Sequence, residues 1–101
     1  MTTVALLASQ QPEEALTLGA RWSAAGDEVT VVLLDGATVI LRPGHVSASL
    51  LTTAQDAGVT IWAHDAAVHE RETTGDVAVE IVGLDRVAAL IGDGATRVQW
   101  W

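Results

Sequence analysis

Apolar and polar positions fall in blocks along this chain, and the spacing switches repeatedly between strand-like and helical. Thr3-Val4-Ala5-Leu6-Leu7-Ala8 is apolar on both faces and is followed by polar Ser9-Gln10-Gln11-Pro12, which predicts a buried strand running into a helix start. Pro12 suits the first helical turn, where its missing N–H is no loss, and Glu13 and Glu14 sit at the positive end of the dipole. Ala15, Leu18, Trp22 and Ala25 then recur at helical spacing up to Gly26-Asp27, so the first helix covers about residues 12 to 25. Gly19 within it costs about 1 kcal/mol relative to Ala, which points to close packing against a neighbour or to simple tolerance.

Glu28 to Asp35 is the strongest strand, β-branched and apolar on both faces, and is expected to lie centrally with helices on either side. Ala37 to Leu41 reads as a strand or buried loop at the C-terminal edge of the sheet, with Arg42-Pro43-Gly44 as a turn. Ser47 is a good N-cap for a helix of about 48 to 57, stopped by Gly58. Val59 to Ala63 is a third strand, and Asp65 is expected to cap a short helix to about Glu72. Val77 to Val82 can form a fourth strand, Leu84 to Ile91 a helix stopped by Gly92, and Ala95 to Trp101 a last strand.

Strands alternating with helices imply right-handed crossovers and a single domain over residues 1–101. The expected architecture is a three-layer α/β/α sandwich with a mostly parallel sheet of about five strands, whose strand order the pattern leaves open. On the last strand Trp100 and Trp101 face opposite sides, so one indole is exposed unless both faces are covered. That makes the pair a candidate subunit contact, with packing into the chain's own core the equal alternative.

Composition narrows the chemistry. The chain has no cysteine, which excludes disulfides, thiolate metal sites and thiol redox chemistry. Five Arg, at 21, 42, 71, 86 and 97, are dispersed against thirteen acidic residues, for a net charge of −8. Direct nucleic-acid binding needs a basic stripe, and anionic membranes are disfavoured for the same reason. The opening MTTVALLASQQP lacks a basic n-region, and no apolar run approaches a spanning helix, so a cytoplasmic location is expected.

In open α/β sheets ligands bind beyond the C-terminal strand ends, which selects Ser9-Gln10-Gln11, Asp35-Gly36, His64-Asp65 and Gly83 as a candidate rim. TIWAHDAAVHERE, residues 60 to 72, gathers two of the three histidines there. Asp65 and His69 are four apart, a spacing a helical metal pair would use, but an N-cap Asp is already committed to backbone N–H groups and no third ligand is specified. The reading adopted is therefore a cap and a polar helix, with no metal or cofactor. His64 and Asp65 remain candidates for an acid-base pair, with Ser9, Gln10, Asp35, Gly36 and His64 as ligand-binding positions. The chain has no G-x-S-x-G, Walker or G-x-G-x-x-G motif.

Several strings resemble the DsrE/DsrF/DsrH family of small sulfur-relay proteins, which includes the TusB, TusC and TusD type. They are the opening TTVALLAS, Gly26-Asp27-Glu28-Val29 leading into VVLLDG, the A-x-x-x-G-V string of Ala54 to Val59, and the close DRVAALIGDGATRVQWW. Arg97-Val98-Gln99 and Trp101 are nearest to the DsrH branch. The resemblance implies an α/β/α sandwich that assembles into trimers or hexamers and, in active members, a persulfide-carrying cysteine near a strand end. The corresponding positions are Ala63-His64-Asp65 in the DsrE-like pattern and Ser9-Gln10 in the DsrH-like one, and neither holds a cysteine. What it implies here is a non-catalytic or accessory subunit that forms homo- or hetero-oligomers with homologous subunits. Its expected contact residues are Val39, Ile40, Leu41, Trp100 and Trp101.

Overall fold

The strand segments are apolar on both faces because helices cover the sheet from both sides. The computed structural model describes residues 2–41, 44, 46–64, 79–92 and 96–101. In chain order they form β1 (Thr3–Ala8), α1 (Pro12–Ala24), β2 (Glu28–Leu33), a 3-10 helix (Asp35–Leu41), α2 (Ala48–Asp56), β3 (Thr60–His64), β4 (Glu80–Val82), α3 (Leu84–Gly92) and β5 (Thr96–Trp100). All strand pairs are parallel, in the order β4-β3-β2-β1-β5, which puts β2 at the centre.

This order explains the layers. From β1 to β4 the chain advances one strand at a time in one direction, so right-handed crossovers place α1 and α2 on one side. Reaching β5 reverses the direction and carries α3 to the other side. Alternate side chains sort accordingly: Leu6, Val31 and Ile61 join the core under α1 and α2, while Leu7, Val32 and Trp62 join the cluster under Val87 and Leu90 of α3. The result is the expected α/β/α sandwich on an all-parallel sheet.

Both long helices on the first side end in the same way. Gly26 (φ 104°) and Gly58 (φ 102°) adopt the left-handed conformation, and the following residues fold back, Asp27 N–H to Trp22 O at 3.1 Å and Val59 N–H to Ala54 O at 3.0 Å. These are Schellman stops, which glycine permits without steric cost. Gly19 is buried where α1 crosses the sheet, and a Cβ there would stand 3.3 Å from each of Leu6, Val29 and Val31. Its role is close packing.

The segment after β2 departs from expectation. Residues 37 to 41 are neither a strand nor a loop but part of the 3-10 helix. Asp35 turns the chain at φ 45°, and Thr38 Oγ1 donates to Asp35 O at 2.8 Å, which folds the backbone inward before it can extend β2. Ala37, Ile40 and Leu41 consequently lie in the chain's own core. Ser47 occupies the N-cap position of α2 but makes no side-chain capping bond. The helix expected from Asp65 to Glu72 lies outside the described residues.

Candidate functional site

Three adjacent strands, β1, β2 and β3, end at one rim of the sheet, and the loops leaving β1 and β2 are bonded to each other. Leu34 N–H donates to Ala8 O at 2.8 Å and Ala37 N–H to Ser9 O at 2.8 Å. Gln10 lies against Gly36 so closely that a Cβ there would stand 2.8 Å from Gln10 Oε1. A side chain at 36 would make the Gln10 amide shift, which an exposed, flexible side chain can do at small cost. Asp35 has a positive φ, an uncommon conformation that Asp tolerates better than most residues.

The rim thus brings together Ser9, Gln10, Asp35 and Gly36, with His64 at the end of the next strand. His64 is half-buried and, by alternation, shares the α3 side of the sheet with Trp62. Asp65 lies outside the described residues, so its pairing with His64 has no geometry here. Ser9 is partly committed elsewhere, because its Oγ donates to Trp101 O at 3.1 Å and its N–H to the same oxygen at 2.9 Å. Trp101 N–H returns a bond to Leu7 O at 2.7 Å, which ties the last residue to the end of β1. Gly83 starts α3, its carbonyl accepting from Arg86 and Val87 N–H.

The expected contact residues separate into two groups. Ile40 is fully buried and Leu41 nearly so, with Val39 half-buried, which leaves Ile40 and Leu41 no side-chain surface for a partner. Trp101 is half-buried against the core under α1 and α2. Trp100, on the edge strand, is 64 % exposed.

Among the described residues no group of three or more His, Asp or Glu is placed to hold a metal ion. No described helix is long and apolar enough to cross a membrane.

The fold has a solved counterpart. The structure of the protein of unknown function MTH1491 from Methanobacterium thermoautotrophicum superposes with a TM-score of 0.74 at 16 % identity, covering 98 % of this chain and 100 % of that one. At that identity the likeness shows the fold alone. No family model and no curated protein matches the chain.

A further polar cluster lies on the α3 side, with no local sequence pattern to mark it. Arg86 of α3 pairs with Glu80 of β4 and lies over the Trp62 ring of β3. These residues lie up to 24 positions apart in sequence, and only the β3–β4 register, Trp62 opposite Glu80, brings them together.

Proposed function

We propose that this chain is a cytoplasmic, non-catalytic accessory subunit of the DsrE/DsrF/DsrH type, which assembles with homologous subunits through the side of the sheet that carries α3. The observation behind the reading is the exposure of Trp100 on edge strand β5. A large indole left in water at a sheet edge is a preferred anchor for a protein partner. By alternation Trp100 shares its side with Val98, which packs into the cluster under α3. On α3 itself Leu84, Ala88 and Ile91 recur at i, i+4 and i+7 and are all exposed, adding apolar surface on that side.

The family part of the proposal rests on the sequence resemblance, to which the α/β/α fold is congenial. With no cysteine anywhere, the chain cannot itself carry a persulfide, and its part would be to hold a cysteine-bearing homologue. Light scattering on the purified chain, alone and with such a homologue, tests the assembly. A stable oligomer of either kind is expected, and a chain that stays monomeric in both mixtures overturns it.

A second reading uses the rim. The bonded loops after β1 and β2 hold Gln10 and Asp35 next to the strand that ends in His64, where a small molecule bound beyond the strand ends would meet them. His64 would serve as acid or base, with Asp65 orienting it. Under this reading His64→Ala abolishes ligand binding with the fold intact, and an unchanged titration removes it.

A further inference from the structure

Among the described residues, the helices on the α1 side cover only part of the sheet. α1 packs on β1 and β2, and α2 packs on α1 and β3, while β5 joins the opposite edge through a crossover on the other side. No described helix therefore covers the α1-side face of β5. Arg97 and Gln99, opposite Val4 and Leu6 in the register, line a cavity of about 210 Å³ there. Its other walls among the described residues are Val4, Trp22 and Asp27.

Two opposite charges face this cavity without forming an ion pair. Arg97 and Asp27 line the same space, yet no ion pair joins them, and Asp27 Oδ1 accepts the Thr2 N–H at 3.2 Å. Arg97 makes no ion pair or side-chain hydrogen bond among the described residues, in a chain where acidic groups outnumber basic ones by thirteen to five. A guanidinium is suited to bidentate recognition of a carboxylate, and the Gln99 amide adds a donor on the same strand. A carboxylate such as Asp27 attracts a cationic group, and Val4 with the Trp22 ring supplies an apolar wall. The volume lies below the roughly 300–1,000 Å³ of pockets for drug-sized ligands, which limits the occupant to a small molecule.

We propose that this cavity binds a free α-amino acid with an apolar side chain. Its carboxylate is held by Arg97 and Gln99, its ammonium by Asp27, and its side chain lies on Val4 and Trp22. This site is separate from the rim and from the Trp100 surface. It runs from the strand starts, where Val4 faces Arg97, to mid-strand, where Gln99 faces Leu6, and none of its described lining residues belongs to the rim.

The test is a titration of the ¹⁵N-labelled 101-residue chain with L-leucine, following the Trp22 indole N–H and the backbone amides of Arg97 and Gln99. Two analogues accompany it: 4-methylpentanoate, which lacks the ammonium, and 3-methylbutylamine, which lacks the carboxylate. The expected result is saturable shifts confined to these residues, with each analogue binding at least about tenfold more weakly. Arg97→Gln and Asp27→Asn should each weaken leucine binding by a similar factor. Asn keeps the oxygen that accepts the Thr2 N–H, and both variants are checked for wild-type dispersion elsewhere in the spectrum. The absence of saturable shifts up to about 10 mM, equal binding of the analogues, or binding indifferent to both substitutions overturns the proposal.

Discussion

The Arg86 guanidinium carbon lies 4.7 Å from the centroid of the Trp62 ring, and the same guanidinium pairs with the Glu80 carboxylate. Because Trp62 and Glu80 are register partners on β3 and β4, one side chain of α3 clamps the helix to both strands. Trp62 Nε1 is buried without a hydrogen-bond acceptor, so its ring is held by packing and by the cation above it.

The Glu80 carboxyl is held below the usual glutamate range, chiefly by the hydrogen bond from Arg86. Loss of hydration opposes this, and the Arg86 charge adds to the lowering, with a smaller part from the nearby Trp62 donor, which falls short of hydrogen-bond geometry. A depressed native value means that the stabilisation is complete above the ordinary glutamate range and is lost as pH falls through the native value. Arg86→Gln should return Glu80 to the ordinary range, read by carboxyl NMR titration, and flatten this acid limb of stability. Loss of the cation–π contact alone should cost about 0.5–1 kcal/mol at neutral pH.

Ile40 distinguishes a core role from an interface role. Fully buried under α1 and α2, it should behave as a core residue, with Ile40→Ala costing about 2–5 kcal/mol in chemical denaturation. The oligomeric state of the folded fraction should not change.

Gly58 and Ser23 form a coupled pair. Gly58 needs a positive φ of 102°, and a Cβ there would stand 2.9 Å from Ser23 Oγ, which donates to Ala57 O at 2.7 Å. Gly58→Ala should therefore cost about 1–2 kcal/mol from the left-handed backbone, and more from the clash. In the Ser23→Ala background the same substitution should cost less, so a double-mutant cycle should give a non-zero coupling.

Trp100→Ser should leave stability within about 0.5 kcal/mol of the parent, as for most exposed positions, while reducing the oligomer fraction in light scattering. Loss of stability without any change in assembly would place Trp100 in this chain's own packing instead.

Much of the fold is legible in residue order. The two-faced apolar runs of β1 and β2, Pro12 with Glu13 and Glu14 at a helix start, and Gly26 and Gly58 at helix stops are local signals, because dihedral preference and helix capping act over a few residues. The 3-10 helix is less so: Ala37 to Leu41 is apolar enough for a strand, and what diverts it is the turn at Asp35 with its Thr38 bond, read only from backbone geometry.

The sequence by itself determined an α/β sandwich, the places where strands meet helices, and the absence of thiol chemistry. Tertiary structure alone decided that β5 lies beside β1 and β4 at the far edge, because strand order depends on crossover direction and on which surfaces bury one another. That one choice exposes Trp100, sets Arg97 across from Val4 where no described helix covers the sheet, and brings Arg86 onto Trp62. The last two are meetings of residues distant in sequence, where local spacing carries no information.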